Sequence, residues 1–149
     1  MKNDNGIIIL ALLSLAFFSL YQFIPSAAGT AKDKDAVGAA ETMGRAIQAL
    51  RGCLEGKNIA IDRRADVNLT GLIGLESSPI TTSLGNLEAK RTTTNPNFAG
   101  LIAVLLKQEG VKRGDAVAVG ASSSFPALIV ASLAAIHAVE AKPLLIFSL

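Results

Sequence analysis

The last third of the chain has the residue pattern of a β-α-β crossover. Residues 114–120 and 144–148 are short apolar runs typical of strands, and residues 124–140 between them are typical of a helix. Strands joined through a helix lie parallel, and parallel sheets normally carry helices on both faces. Because the sequence ends on the second apolar run, we expect an α/β domain with a partial parallel sheet, truncated at its C-terminus.

Composition narrows the class of protein further. Half of the 149 residues are apolar, but only 5% are aromatic and Trp is absent, so a core of Ala, Val, Ile and Leu is favoured over a surface that stacks bases. The net charge is only +2, and the cations lie among acidic neighbours, so we expect no nucleic-acid partner. Cys53 is the only cysteine, and no His, Cys, Asp or Glu residues have metal-ligand spacing. No metal and no cofactor are expected.

The N-terminal region predicts a membrane anchor. Residues 6–24 carry no charge, and about twenty apolar residues span a bilayer as a helix. We therefore predict a transmembrane anchor over residues 1–25, a linker over 26–34 and the α/β domain over 35–149. This division predicts a single-pass protein of the cell membrane, and the short N-terminal tail favours a domain outside the cytoplasm. Small residues at 26–28 leave a cleaved signal peptide as one alternative, and a buried soluble helix is another.

Two helices are expected between the linker and the crossover. A helix that ends at Gly56 is indicated by apolar residues at three- and four-residue steps, namely Val37, Ala40, Met43, Ile47, Leu50 and Leu54. A second helix has an N-cap at Asn95, a proline at position 96 and a terminating Gly110.

The polar run over residues 76–95 is the first candidate site. It is rich in hydroxyl groups and has no clear helical or strand period, which is typical of a loop. Lys90 and Arg91 can hold a carboxylate or a phosphate, and hydroxyl groups such as that of Thr92 can complete the site. The alternative is a solvated linker whose hydroxyl groups serve turns and caps.

The turn after the first strand of the crossover is the second candidate site. Ligands of open parallel sheets bind at the carboxyl ends of strands, and a helix N-terminus favours anions. Ser122 and Ser123 can bind such a ligand, Ser124 is expected to cap the helix, and Gly120 to allow a tight turn. The run lacks the G-x-S-x-G pattern, and the only histidine, His137, lies further along the same helix. No catalytic residue is therefore assigned.

These segments resemble the poly-gamma-glutamate system protein family. The similarity rests on residues 76–97, on Gly114 and Asp115, and on residues 119–127, with the run from Leu87 to Thr92 as its most specific part. It covers residues 71–149, and the N-terminal anchor agrees with it. The family continues beyond the strand at which this chain ends.

The resemblance implies an accessory, non-catalytic component of poly-γ-glutamate synthesis and export. Its partners would be the synthesis and export proteins of the membrane and the anionic polymer itself. One alternative is an enzyme of the same pathway, a hydrolase or transferase that uses the serine turn together with groups absent from this chain. Another is an anchored sensor that binds a small anion at that turn.

Overall fold

The structure is a computed structural model that describes residues 4–23, 33–74 and 85–148. The described residues form five helices and a two-stranded sheet. In chain order these are α1 (Asp4–Phe23), α2 (Lys34–Gly56), α3 (Leu87–Thr93), α4 (Asn97–Gln108), β1 (Ala116–Ser122), α5 (Pro126–Ala138) and β2 (Lys142–Ser148).

The core lies where α2, α4 and α5 pack against one another. Its buried side chains are mostly small, and alanines dominate the face that each helix turns inward. Small side chains let helix axes come close, and α4 approaches α2 closely at Gly100, where an added Cβ would lie 2.8 Å from the Ala36 carbonyl oxygen. The buried hydrophobic residues of the three helices, all of which except Ala36 and Ile136 belong to one cluster, are Ala36, Ala39, Met43, Ile47, Ala99, Ala103, Ala127, Ala131, Ala134, Ala135 and Ile136.

Hydrogen bonds connect two helices of this core at one of its ends. The Asp33 side chain caps α2 by accepting the N–H groups of Asp35 and Ala36 at 2.9 and 3.4 Å. Lys107, in the last turn of α4, donates to the carboxylates of Asp33 and Asp35 at 2.9 and 2.7 Å. The start of α2 is thereby tied to the end of α4.

The sheet consists of β1 and β2, which run parallel and are joined through α5. Ala116 pairs with Lys142, and the register continues to Ser122 opposite Ser148. One face of β1 is half-buried beneath α5, whereas all of β2 is exposed, with Ile146 retaining 74% of its accessible surface. The predicted crossover is present, and its second strand lies open to solvent.

The predicted transmembrane anchor is contradicted. Among the described residues, no helix is both long enough and apolar enough to cross a membrane. The transmembrane part of the predicted fold class and the predicted single-pass localisation with an extracytoplasmic domain are therefore wrong. The described side chains of α1 are exposed, and none of the buried core residues comes from this helix.

Candidate functional site

The predicted cations Lys90 and Arg91 lie on the short helix α3, so the interpretation of residues 87–93 as a loop is wrong. Asn86 caps the helix by accepting the Ala89 N–H at 2.9 Å, and Glu88 lies in the first turn. An acidic residue at the start and basic residues at the end both complement the helix dipole. Residues 76–84 of the predicted polar run lie outside the described residues.

Arg91 is bonded to the chain itself. Its Nε donates to the carbonyl oxygen of Ala65 at 3.0 Å, and its two terminal nitrogens donate to the Arg64 carbonyl oxygen and to the Glu88 carboxylate. A guanidinium has five N–H donors in a fixed planar fork. Three of its nitrogens are thus engaged by neighbouring groups, and Arg91 serves to hold residues 64 and 65 against α3.

The loop that Arg91 holds is built on a buried carboxylate. Asp66 is fully buried, and its Oδ2 accepts the Thr70 hydroxyl at 2.9 Å and the Gly71 N–H at 2.6 Å. Its Oδ1 has no hydrogen-bond partner among the described residues. Asn68 links the same loop to α3 by donating to the Thr94 hydroxyl at 2.9 Å.

Asp66 is the residue that sequence reasoning missed, because residues 62–66 resemble a solvated charged loop. A local sequence pattern could have indicated the role of Asp66. An Asp followed by a hydroxyl residue and a glycine four and five positions later can bond its own backbone in a turn.

Lys90 faces a cavity of about 590 Å³. The Lys90 side chain is half-buried, and its ammonium forms no ion pair with any described residue. The cavity walls are mainly apolar and come from the end of α2, the two stretches on either side of Asp66, and α3. The described lining residues are Leu54, Ile59, Ala60, Ile61, Asp62, Arg64, Ala65, Gly71, Ile73, Gly74, Gly85, Leu87 and Lys90.

The side chain of Lys90 and the start of α5 both lie close to Gly85. A Cβ added at Gly85 would lie 2.8 Å from Lys90 Cε and 3.4 Å from its Nζ, and 3.8 Å from Cε2 of Phe125. Phe125 directly follows the serine turn. The structure therefore brings Lys90 close to the end of the second candidate segment, which is more than thirty residues away in the chain.

The remaining predicted site residues do not line the cavity that Lys90 faces. Thr92 is exposed, and its hydroxyl donates to the Glu88 carbonyl oxygen of its own helix at 2.9 Å. Ser122, Ser123 and Ser124 are exposed as well. Ser122 lines a separate cavity of about 210 Å³ with Phe125 and residues of α5, whereas Ser123 donates its N–H to the Ser148 carbonyl oxygen at 3.1 Å.

Two local expectations for the serine turn are wrong. Helix α5 begins at Pro126, its N-cap is Phe125, and no side chain caps it, so Ser124 lies one residue too early. Gly120 lies inside β1 opposite Ile146, because the strand continues to Ser122 instead of turning there.

No general base accompanies the serines among the described residues. His137 lies in the last turn of α5, about 16 Å along the axis from Pro126. The described residues also contain no group of three or more His, Cys, Asp or Glu side chains that could hold a metal ion. A nucleophilic serine needs a base within hydrogen-bond reach, so this turn by itself defines no catalytic centre.

Comparison with known proteins gives no match to a family model, a curated protein or a solved structure. The resemblance to the poly-gamma-glutamate system protein family therefore stays a prediction.

Proposed function

We propose that this protein is a non-catalytic accessory component of poly-γ-glutamate synthesis and export. The observation that carries the proposal is the resemblance over residues 71–149, whose most specific part runs from Leu87 to Thr92. That run forms α3, and α3 supplies the half-buried cation of the larger cavity. An accessory component of this system would meet the polymer, which carries one carboxylate on each residue, and the proteins that make and export it.

The charge distribution favours a local contact over a long electrostatic track. The net charge is only +2, and Arg91, Lys107 and Arg113 are each paired with an acidic side chain. A polyanion held by electrostatics alone needs an extended basic surface. The described lining of the cavity carries two cations and one carboxylate, and this small excess of positive charge instead suits a single carboxylate, or a partner protein that presents one.

The test is the amount of cell-bound and released poly-γ-glutamate in a strain that lacks the gene. We expect polymer to fall, to be restored by the unaltered chain and to be restored less by Lys90→Met. Lys112→Met is the matched control, because Lys112 is exposed and lies outside the cavity. Polymer that is unchanged in the deletion strain would contradict the proposed function.

No observation among the described residues favours the enzyme or the sensor alternative. The enzyme alternative predicts cleavage or transfer of γ-glutamyl bonds by the purified chain. Loss of such activity on Ser122→Ala would move the assignment from an accessory role to catalysis.

A further inference from the structure

The larger cavity combines apolar walls with charged groups. Its walls carry the aliphatic side chains of Ile59, Ile61, Ile73 and Leu87, and its cations are Lys90 of α3 and Arg64. Its volume of about 590 Å³ lies within the range of small-molecule pockets, which are largely apolar with a few placed polar groups.

The lining charges leave the Lys90 ammonium available. Asp62 is the only carboxylate among the described lining residues, and its Oδ1 already accepts the Arg64 N–H at 2.8 Å. Arg64 adds a second cation to the rim, and its side chain makes no ion pair with the described residues. The described lining residues therefore carry two positive charges and one negative charge.

The neighbouring Arg91 shows why the two cations of α3 differ. Arg91 is neutralised by Glu88 and bonded to two backbone carbonyl groups, whereas Lys90 has neither kind of partner among the described residues. Lys90 is half-buried beside aliphatic walls, and its ammonium can donate a charge-assisted hydrogen bond to an anion, which is stronger than a bond between neutral groups.

We propose that this cavity binds a carboxylate carried on a short aliphatic chain. The Lys90 ammonium donates to the carboxylate, and the walls at Ile59 and Leu87 cover the methylene groups. A γ-linked glutamate residue, with one free carboxylate and two methylene groups, belongs to this class. That identification rests on the proposed function, whereas the ligand class rests on the cavity alone.

The test is isothermal titration of the purified full chain with glutarate, with its neutral analogue glutaramide, and with a short γ-linked glutamate oligomer. We expect glutarate to bind saturably and glutaramide at least tenfold more weakly, because only glutarate offers a carboxylate to Lys90. Stronger binding of the oligomer than of glutarate would identify the polymer as the source of the carboxylate. Equal or weaker binding would identify a free acid.

Three variants assign the binding to this cavity. Lys90→Met keeps the length of the side chain and should weaken glutarate binding at least tenfold, while Lys112→Met should leave it unchanged. Ile59→Asn, at a cavity position that is already 52% exposed, should weaken binding severalfold without unfolding the domain. Thermal denaturation of each variant checks its fold, and Lys90→Gln replaces Lys90→Met if the latter unfolds.

Absence of glutarate binding, or equal binding by the unaltered chain and Lys90→Met, overturns the proposal. The two proposals also fail separately. Glutarate binding that depends on Lys90, with unchanged polymer in the deletion strain, keeps the site and removes the proposed function. Lost polymer without any glutarate binding keeps the function and removes the site.

Discussion

Helix α5 and strand β2 differ sharply in how much of a similar side chain they bury. Ile136 of α5 keeps 1% of its accessible surface, whereas Ile146 of β2 keeps 74%. Helices α2, α4 and α5 each contact the other two, while β1 and β2 pair only with one another among the described strands. Stability is therefore concentrated in the helices, whereas the side chains of β2 are exposed.

The physical cause of the difference is the number of covered faces. Each helix of the core turns a stripe of alanines toward two neighbours, so its apolar surface is removed from water. The sheet has α5 on one side, and a two-stranded sheet alone is at best marginally stable in water. Substitutions in the core should thus change the free energy of unfolding, and substitutions at the open surfaces should not.

The largest expected contrast is between Ile136→Ala and Ile146→Ala. Truncating the buried isoleucine leaves a cavity and should lower the free energy of unfolding by about 2–5 kcal/mol. The same change at the exposed isoleucine should stay within about 0.5 kcal/mol. Urea denaturation of the two variants measures both values, and equal losses would show that β2 is as well packed as α5.

Gly100 provides the next test. Gly100→Ala places a Cβ 2.8 Å from the Ala36 backbone oxygen, so the helices must separate, and we expect a loss of about 1–3 kcal/mol. Gly44→Ala is the matched control, because an added Cβ there meets no atom within 4 Å. Removing a helical glycine should then stabilise the protein by up to about 1 kcal/mol. A gain at both positions would mean that α2 and α4 pack less closely than described.

Substitutions of the two cations of α3 should differ in their effect on stability, because Arg91 is bonded to the chain and Lys90 is proposed only to bind a ligand. Arg91→Met removes the hydrogen bonds to the carbonyl groups of Ala65 and Arg64, and we expect a loss of about 1–3 kcal/mol. Lys90→Met should change the free energy of unfolding by no more than about 0.5 kcal/mol. Chemical denaturation of both variants gives the comparison. A larger loss for Lys90 would assign that residue a structural role.

The smallest effect expected is the acid dependence of the tie between α2 and α4. The hydrogen bond from Lys107 holds the pKa of the Asp33 carboxyl below its usual range, and the hydrogen bonds that Lys107 donates to Asp35 and Asp33 raise the pKa of Lys107. Because the Asp33 pKa is lower in the folded state, its contribution is present above about pH 4 and is lost as the pH falls through the folded-state pKa. The Lys107 contribution is present at neutral pH and is lost only above its raised pKa.

Lys107→Met should therefore be less stable than the unaltered chain at pH 6. The difference should be at most about 1 kcal/mol, because solvent screens these partly exposed groups, and it should shrink toward zero at pH 2–3. Thermal denaturation at several pH values measures it. A difference that persists unchanged at pH 2 would mean that the contact is packing and not an ion pair.

The sequence was most informative where local signals and tertiary packing agree. The helix after Asn95 is confirmed as α4. The predicted N-cap at Asn95 is one residue too early, because the N-cap is Pro96 and no side chain caps the helix, although Asn95 accepts the Asn97 N–H at 3.0 Å. The parallel strands of the crossover are also present.

The predicted inner face of α2 was wrong at Val37, which is 43% exposed, whereas Ala36 and Ala39 are buried. Closely packed helices select the smallest side chains, and alanine carries little signal in a hydrophobic pattern.

Long-range contacts explain why the candidate site was predicted only in part. Helix α3 has seven residues, too few to be stable by helix propensity alone, and bonds from Arg91 to residues 26 and 27 positions away hold it in place. The spacing of Lys90 and Arg91 gave no indication that one would be bonded to the backbone and the other would line a cavity. Lys90 and Phe125 also lie near each other beside Gly85 only because of long-range folding, so the sequence alone did not indicate that they would be close.

Amide hydrogen exchange, followed residue by residue in the full chain, tests the division between core and open surface most directly. Local openings expose amides at free energies that range from near zero up to that of global unfolding. The account predicts the slowest exchange in the middle of α2, α4 and α5, and faster exchange in β2 even at amides bonded to β1. Exchange in β2 as slow as in α5 would contradict it, because the sheet would then share the stability that is assigned here to the helices.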